Sequence, residues 1–274
     1  MKLKIPTTIF GEPIEGAMER RFPKDNSNTI IDPVVPDINR LPMEVNSNIN
    51  LSDYVQLDMF GLYGKQVIIS KFEIPKANNK NYEDTHRFVL DQGLYIPTPV
   101  IFINFLSKVI EAYNKKIELF DGQGNKIQEK EINDMYLHLT KDHISSYNVK
   151  GKEGAWTWLN ARFIKGQFND LDLETVIGIN NNQLQTKKES LSRYLNETCY
   201  VDLNPHFNHQ GLPKQEAKSS NQEYKQGKNV YFWKPIKDRV AGFNAFSGGA
   251  DLYCNWNPHG TDVALGVYTC AEGA

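Results

Sequence analysis

VAGFNAFSGGADLYCNWNPHGTDVALGVYTCAEGA, residues 240–274, reads as short strands joined by Gly, Asn and Pro turns, around Val240–Ala245, Asp251–Asn255 and Leu265–Tyr268. Val240, Phe243, Ala245, Leu252, Cys254, Leu265 and Val267 are spaced to face inward. Between them sit Gly242, Asn244, Phe246, Asp251, Tyr253, Asn255, Trp256, Asn257, His259 and Asp262, which the same spacing turns largely outward. An outward set of Phe, Tyr and Trp among Asn, Asp and Gly has the composition of a binding surface. Rings give contact area at low entropic cost, and short polar groups give adaptable hydrogen bonds. The same residues equally describe an ordinary turn-rich strand bundle. The stretch is also biased. All 31 basic residues of the chain lie at or before Arg239, and Val240–Ala271 lacks Glu, Gln, Met and Ile as well. Only Trp256 in that span cannot come from a codon ending in C or T.

The rest of the chain bounds the class. Its 274 residues suffice for one large domain or two small ones, and its net charge of -2 argues against the electrostatic footprint of a nucleic-acid binder. No apolar run reaches membrane-spanning length, and the N-terminal MKLKIPTTIFGEPIEG has no apolar signal core, so neither a span nor a secretory leader is expected. Cys199, Cys254 and Cys270 are an odd number at wide spacing, fitting neither a zinc pattern nor a disulfide framework. A Cys254–Cys270 bridge is one reading; buried free thiols are the expected state.

Upstream, residues 1–50 read as extended arms and turns, and Leu51–Ile74 as a strand pair turning at Gly61–Gly64. Thr98 is placed to cap a helix that Pro99 begins; Ile101, Phe102, Phe105, Leu106, Val109, Ile110 and Tyr113 then fall at helical spacing to about Asn114–Lys115. Ile117–Ile132 reads as a hairpin turning at Asp121–Gly124, and Trp156–Ile164 as a buried strand or short helix. Lys187–Asn196 is a second helix candidate, from Leu191 and Leu195 four apart. Gly211–Gly227 is a polar loop, and Val230–Trp233 a core strand. This order is α+β, not an alternating βαβ pattern.

Other chemistry is sparse. His206 and His209 are three apart, but Pro205 and Gly211 place them in a loop, with no third metal ligand near in sequence. His138 and His143 read as a solvated helix end. Asp121-Gly122-Gln123-Gly124-Asn125 lacks the ligand spacing and closing Glu of a calcium loop. No Gly-x-Ser-x-Gly elbow is present.

Two segments carry a family resemblance. Gly93-Leu94-Tyr95-Ile96-Pro97-Thr98-Pro99 resembles the strand-to-helix passage of the formylglycine-generating-enzyme type of C-type-lectin-like domain. Val240–Val267 resembles that fold's closing strands, with Tyr268 where Gly-Val-Arg endings carry arginine. More narrowly, the tail resembles the variable region of diversity-generating-retroelement variable proteins of an archaeal group, and Ala155–Phe163 and Tyr231–Pro235 resemble framework stretches of the same group. In that group, adenine-specific reverse transcription mutates AAY-type codons, which excludes Lys, Glu, Gln, Met and Trp; Trp256 departs from the pattern. The resemblance implies an α+β C-type-lectin-like fold with two helices, starting near Pro99 and Lys187, a small mainly antiparallel sheet and much irregular structure. It also implies an N-terminal segment at 1–83 packed on a lectin-like domain at 84–274, and a variable region at 240–271. The implied function is binding of an unknown protein or cell-surface ligand, with no cofactor and no catalysis, in an archaeon or an associated virus, and the implied place is a cell or virion surface. Phe246, Tyr253 and Trp256 would be anchors; Asn244, Asp251, Asn255, Asn257, His259 and Asp262 tunable polar contacts; Gly248 and Gly249 positions able to carry larger groups. Trp256-Asn257-Pro258 lacks the acidic signature of calcium-dependent sugar binders. The alternatives are a lectin-fold enzyme of formylglycine-generating type, which needs Cys254 and Cys270 in an open cleft, and an adhesion domain of fixed specificity.

Overall fold

Thr98 and Pro99 do start a helix, and it is the most deeply buried one described in the chain. Pro99 fixes φ where an N–H would be unpaired anyway, and Thr98 holds an extended cap conformation without a side-chain cap bond. A computed structural model describes residues 8–9, 12–13, 49–59, 66–74, 79–141, 154–167, 170–203, 206–262 and 265–272. The turn expected at Gly61–Gly64, and His143, lie outside them. The chain divides into two units, Met1–Asp37 and Ile38–Ala274. In the first, β1 (Thr8–Ile9) pairs antiparallel with β2 (Glu12–Pro13).

The second unit is mixed α+β. In order it holds β3 (Tyr54–Asp58), β4 (Gln66–Ser70), α1 (Tyr82–Leu90), α2 (Pro99–Tyr113), α3 (Glu129–Thr140), β5 (Trp156–Lys165), β6 (Leu171–Asn180), β7 (Gln183–Ser190) and β8 (Cys199–Asp202). β9 (Asn229–Trp233), β10 (Arg239–Phe246), β11 (Gly249–Trp256) and β12 (Cys270–Glu272) follow. One sheet runs β7-β6-β5-β10-β11-β9-β8, antiparallel except for the β11–β9 pair; the other runs β12-β4-β3. Within the second unit, β4 is the central strand of the sheet that the C-terminal β12 completes.

The small sheet is buried on both faces. Val55, Leu57, Val67 and Ile69 join the main core with Phe102, Phe105 and Leu106 of α2, Met135 and Leu139 of α3, and Phe243 and Leu252 of the large sheet. Tyr54, Ile68 and Ala271 join a second core with Tyr82 and Val89 of α1, Trp158, Leu265 and Val267. Burying a ring such as Phe102 or Phe105 contributes about 1.5–3 kcal/mol. Tyr268, at the position where the resemblance has arginine, is fully buried with its ring centroid 5.4 Å from that of Phe102 and 5.7 Å from that of Phe105.

Several expectations are corrected. Lys187–Asn196 is not a helix: Lys187–Ser190 belongs to β7, set by a tight turn in which Asn181 and Asn182 both take positive φ, as a type I′ hairpin requires. Leu195 is buried from a segment that belongs to no helix or strand, so its spacing from Leu191 is not helical. The 117–132 hairpin is only the loop from Phe120 to Lys126, in which Asp121 Oδ1 accepts from the N–H groups of Gln123 and Asn125; Glu129 opens α3. Helix α1 was unforeseen because its buried side includes Thr85 and His86, and burial holds His86 down at about 3. His138 is not solvated: it is 1 % exposed and bonded to Glu73. Leu265–Tyr268 is no strand. It threads between the sheets, with Gly266 N–H donating to Trp156 and Val267 accepting from Ile74.

Buried Asn160 ties β5 to β6 where the hairpin ladder shifts register. Its amide donates to the carbonyl of Val176 and accepts from the Val176 N–H, both at 2.8 Å. Asn160→Ala leaves both groups unpaired and is expected to destabilise the protein by about 2–4 kcal/mol. Urea unfolding reads this; a loss below about 1 kcal/mol would mean that water replaces the amide.

Candidate functional site

The cross-strand register decides which tail residues share a face. Gly242 lies opposite Tyr253 and Trp158; Asn244 lies opposite Asp251 and Trp156. Across β11 and β9, Asp251 faces Tyr231 and Tyr253 faces Trp233, and Tyr231 in turn faces Tyr200 of β8. Directly opposed residues project to the same side of a sheet, so these form two rows on one face. The other face takes Phe243, Ala245, Ala250, Leu252 and Cys254 into the main core. All seven residues expected to point inward are buried.

The outer rows carry a continuous strip of rings. Tyr200 meets Tyr231 at 4.9 Å between centroids, and Tyr231 meets Trp233 at 5.2 Å. Trp233 and Tyr253 are near-parallel at 5.8 Å, and Tyr253 and Trp256 at 4.7 Å. Trp256 closes onto Trp158 at 5.3 Å and Trp156 at 6.0 Å. All are partly exposed except Trp158, which is buried beneath the strip with its indole N–H donating to the Lys80 carbonyl. Such contacts rigidify the rings before any ligand arrives.

Gly242 makes this geometry possible. A register shift between Val240 and Gly242 brings Trp256 over the glycine, where an added Cβ would stand 2.0 Å from the indole ring. Gly242 is therefore the seat of Trp256, buried under it, and not the outward contact residue expected from spacing.

Asp251, expected outward as a tunable contact, is 8 % exposed. Its Oδ2 accepts from the Tyr253 hydroxyl at 2.7 Å and the Trp233 indole N–H at 3.4 Å. Burial pushes its carboxyl above the usual carboxylate range, against these two bonds; burial and the carboxylate push the Tyr253 hydroxyl up as well. Among the described residues no basic side chain pairs with Asp251.

The remaining expected positions flank this centre. Asn244 and Asn255 are partly exposed on β10 and β11. At the hairpin tip, Phe246 is 39 % exposed; its ring lies 3.3 Å from a Cβ built on Gly248 and 2.9 Å from one built on Gly249. Gly248 is exposed, whereas Gly249 is buried and could gain a side chain only if Phe246 swung aside. At the other end, Asn257, His259 and Asp262 form the turn after β11, with Asn257 Oδ1 accepting from the His259 N–H. Tip and turn are separated by the length of β11, about 25 Å, so the twelve positions form a strip and not one compact patch.

Sequence reasoning missed Tyr200, Tyr231, Trp233 and Trp156. The signal was the period-two alternation in Val230-Tyr231-Phe232-Trp233, whose first and third residues are buried and whose second and fourth are not. Four apolar residues in a row hid it.

Cys254 and Cys270 are free, fully buried thiols that burial pushes well up, so they open onto no cleft; Cys199 is free and partly exposed. His209 is exposed and bonded to Ser192. Among the described residues no three His, Cys, Asp or Glu side chains are gathered to hold a metal. Nor is any described helix long and apolar enough to cross a membrane. No protein-family model, curated protein or solved structure matches the chain.

Proposed function

We propose that the protein is a ligand-binding protein of C-type-lectin-like fold whose C-terminal segment, residues 240–271, is the variable region of a diversity-generating retroelement. One observation carries the reading: the tail folds as a hairpin with one face wholly in the core and the other bearing Asn244, Tyr253, Asn255 and Trp256, partly exposed together. A surface can change residue by residue only where the opposite face alone secures the fold. The passage into α2 at Thr98–Pro99, and the closure of β4 by β12, support the lectin-like fold. The ligand is a protein or another cell-surface molecule, held by half-buried rings and short amides.

The test is the gene's neighbourhood. A near-copy of the segment encoding residues 240–271 is expected beside a reverse transcriptase, differing only opposite template adenines. Neither repeat nor reverse transcriptase would sink the variable-region reading. The second reading, an adhesion domain of fixed specificity, is favoured by one fact: Tyr200, Tyr231, Trp233 and Trp156, more than half of the ring strip, lie outside the tail.

A further inference from the structure

The middle of the ring strip holds a charge without a counter-charge. Asp251 sits between Asn244 on one side and Tyr231 on the other, with the Trp233 and Tyr253 rings in the adjoining row. Both donors to it, a phenol and an indole, are neutral, and both reach Oδ2. Oδ1 accepts no hydrogen bond from the described residues and is not sealed from solvent. A carboxylate has about four acceptor sites, so at least half of its capacity is unused. Removing such a group from water without a partner is unfavourable; a strand residue kept this way is poised for a cation from outside.

We propose that Asp251 receives an arginine side chain of a protein partner, its guanidinium hydrogen-bonded to Oδ1 and laid against the Trp233–Tyr253 pair. Three observations select that occupant. Residues 240–274 contain no Lys or Arg, while Asp251 on the strip and Asp262 at its end are acidic, so the surface built from the tail complements a basic one. Aromatic rings beside a carboxylate suit a planar cation that both stacks and donates from a rigid fork, which an ammonium cannot do as well. The strip crosses five strands, from Tyr200 on β8 to Trp156 on β5, about 20 Å at ordinary strand spacing, which is the span of a protein contact. The inference rests on the outer face being a binding surface, and not on how that surface comes to vary.

The test uses the whole protein and its tryptophan emission, since Trp156, Trp233 and Trp256 all belong to the strip. The probe is a capped Gly-Gly-Arg-Gly-Gly peptide, compared with the same peptide carrying citrulline, which keeps the shape and loses the charge, and with one carrying lysine. The arginine peptide is expected to saturate with a dissociation constant on the order of 1–10 mM, as befits one anchor without its interface. Citrulline and lysine should bind at least tenfold more weakly, and Asp251→Asn should bring arginine down to the citrulline level. Equal binding of arginine and citrulline would overturn the proposal while leaving an apolar binding surface intact. Equal binding of lysine would overturn the choice of guanidinium. The wild-type comparison of the three peptides stands even where Asp251→Asn does not fold, and undiminished arginine binding by a folded Asp251→Asn variant would overturn the proposal outright.

Discussion

Glu73→Ala is expected to lower stability by about 3–5 kcal/mol, the cost of removing one member of a buried, hydrogen-bonded pair. Glu73 is 6 % exposed just beyond β4. Its Oε2 meets His138 Nε2 of α3 at 2.6 Å, and its Oε1 accepts from the Trp156 N–H at the start of β5, 2.9 Å away. One carboxylate thus joins the end of β4, helix α3 and strand β5 of the large sheet. Alanine leaves the imidazole and a backbone donor without that acceptor. For a chain of this size the midpoint should fall by about 2–4 °C per kcal/mol, so roughly 10 °C in total. Thermal unfolding followed by far-ultraviolet dichroism reads it. A fall of only 1–2 °C would show that the three elements are held by apolar packing alone. Glu73→Gln keeps an acceptor for Trp156 and should lose less.

The network also bears on the site, because Trp156 is the end ring of the strip. Its backbone is fixed by Glu73 from within and by Gly266, whose N–H it accepts, from the tail. Neither link could be read from sequence, since Glu73 and Trp156 are 83 residues apart. What was legible is what local rules decide. Pro99 after Thr98 began a helix where expected, and alternation in the tail separated Phe243, Ala245, Leu252 and Cys254 from Asn244, Tyr253 and Asn255. What was illegible depended on tertiary context. Lys187–Ser190 entered a strand because the Asn181-Asn182 turn offered β6 as a partner, against its helical spacing. Gly242 and Asp251 keep to the outward face by register, yet are buried there by rings from their own sheet. Alternation assigns a face; it does not say whether that face is covered.

The consequence for the variable surface we propose is that its positions are not equivalent, and the glycines test this most directly. Gly242→Ala is expected to destabilise the protein by about 2–4 kcal/mol and to shift tryptophan emission to the red. A Cβ at that position would lie 2.0 and 2.1 Å from Trp256 Cε3 and Cζ3 and 3.0 Å from the Thr157 carbonyl oxygen, so the indole must leave its seat. Overpacking costs about 1–3 kcal/mol, and each lost ring contact about 0.5–1.5. Trp256 has three such contacts, with Tyr253, Trp158 and Trp156. Gly248→Ala is the counterpart. A Cβ there meets only the Phe246 ring, at 3.3 Å and beyond, on an exposed turn, so its effect should stay within about 0.5 kcal/mol. Urea midpoints and emission maxima of the two variants, measured side by side, decide the matter. Similar behaviour of the two would remove Gly242 from its structural role and return it to the contact surface. If they diverge as expected, the variable-region reading gains a sharper requirement: copies of the gene that keep Trp256, which the diversified codons cannot produce, must keep glycine at 242, while position 248 is free to change.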